Sequence, residues 1–273
     1  METIPTLDAI DIFQQYLSGR GLSQNTIVGY STDVRMFFQE SNLTSCSPTD
    51  FPNLAAQWMN LAKLNRVAAK TVRRRATSIK SFTKFLGLPP ILVDYNMPPL
   101  EQHVPHPLPG LKTDLVKLSE RCWTEEQSAL IGFLGYEGLR LFEALGVGPG
   151  DVDVNSMLLT VWGKRGKKRV IPITPNAWVH ISPAYLTALI FGNPRIVNYS
   201  DRGARNFITE LGCKVGISRS ISSHDLRATF ATLSYAEHKD IEALRIWLGH
   251  DSIETTQMYV SIAIDALRKA GEF

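Results

Sequence analysis

The sequence predicts a mainly α protein: an all-helical amino-terminal domain followed by a helix-rich α+β domain with a small antiparallel sheet. Three observations point there. Apolar residues recur at steps of three and four through the first 86 residues and again beyond residue 200. Two strand-like runs, 157–162 and 169–173, flank a turn rich in glycine and lysine. Between the helical blocks, residues 88–110 hold seven prolines and no periodicity, which reads as an extended, semi-stiff linker. The expected boundaries are therefore 1–87, 88–110 and 111–273. At 273 residues and 44% hydrophobic, the chain can bury two cores.

Taken in order, residues 7–18 place Leu7, Ile10, Phe13 and Leu17 on one helical face, and 24–40 do the same with Ile27, Tyr30, Val34 and Phe37. Gly19 and Gly21 punctuate between them. Ser47-Pro48 offers a cap with proline in the first turn, opening a third helix through Trp58. A fourth helix over 66–86 carries Val72, Ala76, Ile79, Phe82 and Leu86 on one side. Arg66, Lys70, Arg73, Arg74, Lys80 and Lys84 occupy the other, and only Arg75 falls near the apolar stripe. In the second domain, Thr124-Glu125-Glu126-Gln127 is a capping-box pattern, and Gly138 ends the helix it opens. After the strands, helices are expected at 201–215, 224–236, 240–248 and 254–262, then a short apolar tail with Ile262, Ile264, Ala266 and Leu267.

Composition excludes several classes. No apolar run reaches the roughly 18–20 residues that span a bilayer, and no basic-then-apolar leader opens the chain, so a cytoplasmic protein without a membrane partner is expected. Cys46, Cys122 and Cys213 are odd in number and far apart, which fits neither a disulfide framework nor a metal cluster; Cys122 and Cys213 read as small core residues. His103 and His106 read as exposed linker residues. The net charge of +3 says little, but its distribution says more. Residues 1–50 carry six acids against two bases, whereas 51–93 hold eight bases and no acid. Lys164, Arg165, Lys167, Lys168 and Arg169 form a second cluster. With no acids interleaved to make i,i+4 pairs, such segregation is the footprint of a polyanion partner. Arg66, Lys70, Arg73, Arg74, Lys80, Lys84, Arg165 and Lys167 are the candidate DNA contacts.

The chemistry is concentrated near the carboxy terminus, in His224-Asp225-Leu226-Arg227, Leu248-Gly249-His250 and Tyr259. Arginine can hold phosphate oxygens bidentately, histidine moves protons or donates to an anion, and tyrosine can attack phosphorus if its proton has an acceptor. Together they describe phosphodiester breakage and rejoining through a covalent enzyme intermediate.

HxxR, LGH and Tyr in this order, spaced 23 residues from Arg227 to His250 and nine from His250 to Tyr259, resemble the signature of the tyrosine recombinases, the phage-integrase family. Upstream, Gly138-Leu139-Arg140-Leu141-Phe142-Glu143-Ala144-Leu145 is similar to the family's first arginine box, and 163–172 resemble its β-hairpin lysine motif. Arg140, Lys164, His224, Arg227, His250 and Tyr259 thus fill six family positions.

The resemblance implies a two-domain site-specific recombinase, its helical amino-terminal block lying against duplex DNA. Tyr259 would be the nucleophile, giving a 3′-phosphotyrosyl link without metal, ATP or other cofactor. Arg140 and Arg227 would hold the phosphorane oxygens, and Lys164 would protonate the leaving 5′-oxygen. His224 would act as acid/base toward the tyrosine, and His250 would donate to the phosphate. Glu143 would orient Arg140 through an ion pair. Strand exchange would pass through a Holliday junction in a homotetramer on DNA attachment sites, formed from a monomer or weak oligomer; the apolar tail would dock on a neighbouring subunit or else fold onto its own domain, and a host DNA-bending protein is a further partner the resemblance allows. The core-binding helices start within the first ten residues, so no arm-site domain is expected, and Gly271-Glu272-Phe273 reads as a cloning scar. Two alternatives share these residues: a type IB topoisomerase-like enzyme, and an inactive architectural DNA-binding protein.

Overall fold

The structure, a computed structural model, describes residues 4–92, 95–99 and 106–270. His103 and the 271–273 terminus lie outside that set, and so does the side chain of Arg165. The chain divides into two units, Met1–His103 and Val104–Phe273, and the division falls inside the proline-rich segment.

The first unit is four helices: α1 (Thr6–Gly19), α2 (Gln24–Glu40), α3 (Phe51–Leu64) and α4 (Ala69–Phe85). A two-residue antiparallel bridge, β1 (Ile4–Pro5) with β2 (Ser45–Cys46), ties its start to the α2–α3 connection. Ser23 caps α2, its hydroxyl accepting from the Thr26 amide at 3.3 Å. The helices close on an aromatic core of Phe13, Phe37, Phe51 and Phe82, each fully buried. The Phe13–Phe82 and Phe37–Phe51 pairs meet edge-on at 5.1 and 5.4 Å, the geometry that the ring quadrupole favours.

Two helix starts differ from expectation. Residues 47–50 form a turn in which the Ser47 hydroxyl accepts from the Asp50 amide and donates to its carboxylate, so α3 begins at Phe51 with Pro52 in its first turn. Arg66 sits at φ 53°, a left-handed conformation that ends the preceding turn, and α4 therefore starts three residues later than the charge pattern suggested.

The proline-rich segment is pinned at both described ends. Ile91 is buried in the first core, Tyr95 donates to the Met59 carbonyl at 2.8 Å, and Lys63 donates to the Asn96 carbonyl. On the other side Leu108 is buried in the second unit, its amide donating to Thr229 at 2.8 Å. The prolines rule out helix, but the apolar residues among them still find cores.

The second unit opens with α5 (Leu111–Glu120) and α6 (Glu125–Ile131), which Thr124 caps and which widens into a π-turn over Gly132–Tyr136. Next come the one-turn α7 (Leu141–Ala144) and a three-stranded antiparallel sheet, β3 (Val152–Asp153), β4 (Leu158–Trp162) and β5 (Lys168–Pro172), in the order β3-β4-β5. Leu159, Val161 and Ile171 point into the core while Leu158, Trp162 and Val170 stay exposed, the two-residue period of a half-covered sheet. Helices α8 (Pro175–Ile190), α9 (Asp201–Lys214), α10 (Ser223–His238), α11 (Ile241–Leu248) and α12 (Glu254–Ala270) complete the unit. Helix α12 continues through the segment expected to be a separate tail. Cys213 is exposed rather than buried; Cys122 is half-buried, and burial pushes its thiol up to about 12. Among the described residues no helix is long and apolar enough to cross a membrane.

Candidate active site

Three backbone features create the site. Gly138 adopts φ 66° and brings its carbonyl toward α10; a Cβ there would lie 2.3 Å from the Phe230 ring. The left-handed turn ends the helical run, and Arg140 becomes the N-cap of α7. At the other wall, Gly249 closes α11 at φ 64°, exposing the carbonyls of 247–249. Arg227 lies one turn into α10, whose start is held by the Asp225 carboxylate accepting from the Ser222 amide at 2.7 Å.

Arg227 is 3% exposed. Its Nη1 donates to the Gly138 carbonyl at 2.6 Å, and its Nη2 donates to the Leu248 carbonyl at 2.7 Å and to His250 Nε2 at 3.1 Å. Arg140, more open, donates to the Leu248 and Gly249 carbonyls at 3.4 Å each. Glu143 carries the negative charge between them. Its Oε2 accepts from the Arg140 amide at 2.8 Å and its Oε1 from the Arg140 guanidinium at 3.0 Å, while Arg227 lies 3.8 Å away. Glu143 therefore orients Arg140, as expected.

Arg169 contributes a contact that sequence reasoning missed. It donates through both Nη atoms to the two Glu143 oxygens at 2.9 Å and through Nε to the Trp247 carbonyl at 2.8 Å. Burial alone would raise the Glu143 carboxyl; the Arg169 hydrogen bonds and charge, then Arg140, outweigh it and hold the group below 4.5.

An arginine can only donate, so His250 Nε2 must be the acceptor and Nδ1 must carry the proton. That proton is directed at Thr256 Oγ1, 2.9 Å away. Burial, then the Arg227 and Arg140 charges, pushes the imidazole down to about 3, so the ring is neutral near pH 7. With both nitrogens engaged, His250 holds Arg227 here. Arg227 itself is pushed down to about 10 by burial and the neighbouring Arg140, and it stays charged at neutral pH.

Tyr259, on α12, is 9% exposed and lies parallel to the His250 ring at 6.1 Å between centroids. Burial raises its phenol pKa, opposed by the Arg227 and Arg140 charges and a hydrogen bond with Arg227. The group is a neutral phenol at rest, with a cation in place to stabilise its anion.

Lys164 and His224 stand nearer solvent. His224 is exposed in the first turn of α10, three residues before Arg227. Lys164 is exposed on a 3-10 turn spanning Lys164–Gly166. Its neighbour Gly163 lies against the cluster: a Cβ there would be 3.9 Å from Glu143 Oε1.

The candidate DNA contacts separate into two groups. Arg66, Lys70, Lys80 and Lys84 are exposed. Arg73 donates to the Pro98 carbonyl at 3.0 Å, and Arg74 pairs with buried Asp33 at 2.7 Å, so both also serve the first unit's own fold. Lys167 pairs with Asp251 at the surface.

Residues 113–264 match the phage integrase family, and 10–87 match the amino-terminal SAM-like domain of phage integrases. The chain belongs to the phage integrase family. This recombinase is 29% identical over 289 residues to tyrosine recombinase XerC of Pelobacter propionicus, covering 96% of this chain and 93% of that protein. It is 28% identical over 283 residues to XerC of Methylobacterium sp. (strain 4-46), covering 93% and 88%. Among solved structures it resembles XerA recombinase, with 26% identity and TM-score 0.55 over 96% of this chain and 97% of that one. A lambda integrase tetramer bound to a Holliday junction shares the fold, with 16% identity and TM-score 0.70 over 92% and 78%. The chain is a site-specific tyrosine recombinase.

Proposed function

We propose that the recombinase cuts and rejoins duplex DNA at attachment sites with Tyr259 as nucleophile. The observation that carries this is the Tyr259 ring lying parallel to the His250 ring at 6.1 Å between centroids, while His250 Nε2 accepts from Arg227 at 3.1 Å and Arg227 and Arg140 share the Leu248 carbonyl. Tyr259 oxygen bonds to phosphorus, the bond to the 5′-oxygen breaks, and a 3′-phosphotyrosyl link stores the energy for religation. Arg140 and Arg227 offset charge on the non-bridging oxygens; fixed cations of this kind contribute several kcal/mol, on the order of 3–4 for a single donor. Lys164 supplies the proton that leaves with the 5′-oxygen, and the exposed His224 receives the phenol proton. His250 donates to phosphate only once its Arg227 contact is exchanged and a proton sits on Nε2, by a change of tautomer or by protonation of the ring; until then it fixes that guanidinium.

Lys70, Lys80 and Lys84 of the first unit, with Arg66, Arg165 and Lys167, are assigned to the DNA backbone, Arg73 and Arg74 to a joint role. The tetramer bound to a Holliday junction seen for lambda integrase supports a homotetrameric exchange complex, with the end of α12 docking on a neighbour. Bacterial XerC relatives support a cytoplasmic enzyme working on the nucleoid, where a host bending protein would act on the DNA. The test is recombination between two copies of a site selected by binding from genomic DNA. The reading expects wild type to exchange strands, accumulate a four-way junction and need both copies, with Tyr259→Phe inert. Relaxation of supercoils without exchange would replace the reading with a topoisomerase.

A further inference from the structure

Arg169 is the second residue of β5, on the hairpin strand that follows the Lys164 turn. Its basic neighbours suggest another groove cation, but the side chain is only 13% exposed and is committed inward. Its acceptors belong to two segments. Glu143, on α7, is the carboxylate that also accepts from Arg140. Trp247, on α11, precedes the Leu248 carbonyl that accepts from both Arg140 and Arg227. One residue of the hairpin thus grips both elements that hold the arginine pair. The fit is close, since a Cβ at Gly249 would lie 3.1 Å from Arg169 Cδ and Nη1. A second tie near the turn, Lys167 with Asp251, is exposed on both sides (68% and 84%), and such pairs hold geometry weakly.

Strand geometry makes this grip matter for Lys164. Slipping β5 by one residue moves the turn by about 3.3 Å and reverses the face of every side chain. A general acid must come within about 2.6–3.2 Å of the oxygen it protonates. We propose that Arg169 is a positioning residue that registers the Lys164 turn against the arginine pair, by locking β5 onto Glu143 and the Trp247 carbonyl. This rests on the reading of Lys164 as general acid.

The chemistry supplies a test that separates positioning from support of the fold. In cleavage the Tyr259 oxygen–phosphorus bond forms, the phosphorus–5′-oxygen bond breaks, and the leaving oxygen takes a proton from Lys164. With sulfur in place of the bridging 5′-oxygen, the thiolate departs without that proton. Single-turnover cleavage of both substrates is measured for wild type, Lys164→Ala, Arg169→Gln and Arg169→Lys, with DNA affinity as control. Lys164→Ala is expected to lose about 10²–10⁴-fold on the oxygen substrate and to recover on sulfur. Arg169→Gln is expected to lose at least about tenfold on oxygen and to recover on sulfur at unchanged affinity. Arg169→Lys, which keeps a charge without the fork, falls between, and it carries the same comparison if Arg169→Gln does not fold. An equal loss on both substrates, or no loss, overturns the role of Arg169. If Lys164→Ala is not rescued by sulfur, the general-acid reading has failed, whatever Arg169 does.

Discussion

Replacing Glu143 with glutamine removes one charge and almost no volume. The wild-type carboxylate has no exposed side-chain surface and accepts four hydrogen bonds at 2.8–3.0 Å, from the Arg140 amide, the Arg140 guanidinium and both Arg169 Nη atoms. Glutamine keeps one oxygen and turns an NH₂ toward a guanidinium, so at least one donor faces another donor. Arg140, Arg169 and Arg227 then crowd together without the charge that separates them. Removing one partner of a buried pair typically costs about 3–5 kcal/mol. With a urea slope of about 2 kcal/mol per M, the midpoint should fall by roughly 1.5–2.5 M.

The assay is urea unfolding at pH 7, followed through far-UV circular dichroism and the summed fluorescence of the five tryptophans, of which Trp247 has its carbonyl held by Arg169. The pH dependence has a definite sign. The folded Glu143 pKa is depressed below 4.5, so its contribution is present above that value and is lost as pH falls through the folded pKa. The gap between wild type and Glu143→Gln should therefore narrow below pH 4.5. A loss under about 1 kcal/mol at pH 7, the scale of a single neutral hydrogen bond, would refute the view that this carboxylate holds the cluster together.

Gly138→Ala must accept φ 66° and a Cβ 2.3 Å from Phe230, while moving the carbonyl that fixes Arg227; thermal melts should show a loss of about 2–4 kcal/mol, with cleavage falling alongside. His250 is held down to about 3, below its unfolded value near 6.5, so the unfolded chain binds the extra proton between those pH values. Stability is thus greatest above pH 6.5 and declines on acidification, and titrating the urea midpoint from pH 7 to 5 should show a shallower slope in His250→Gln. Lys80→Ala and Lys84→Ala, which change exposed cations on α4, should weaken DNA binding uniformly across sequences and reduce the logarithmic salt slope by about 0.9 each.

Much of this was legible because apolar and charged residues separate cleanly. Helix α4 reads directly from Val72, Ala76, Ile79 and Phe82 against its cations, and β4 from the alternation about Leu159 and Val161. Helix α8 does not: Pro183 sits inside it, and Val179, Leu186 and Ile190 are exposed while alanines fill three of its five buried positions, so no amphipathic period stands out. The start of α3 was misplaced because Ser47, Pro48, Asp50 and Pro52 all offer helix-opening chemistry within six positions. In the catalytic unit the six motif residues were readable by type and spacing, but their partners were not. Arg169 meets Glu143 across 26 residues, and Arg74 meets Asp33 across 41, pairings set only when the helices and strands pack. Nor could sequence show that Arg227 fixes the His250 tautomer and that Thr256 accepts its Nδ1 proton.

The central claim is that Tyr259 attacks phosphorus beside Arg227, and covalent trapping tests it most directly. A nicked suicide substrate bearing a selected site is incubated without metal or ATP, denatured, and resolved for protein–DNA adducts with wild type and Tyr259→Phe. The account predicts an adduct with wild type alone, joined at a DNA 3′ end through the peptide containing Tyr259. Adducts of equal yield from Tyr259→Phe, or bound DNA with no adduct from either protein, would contradict it.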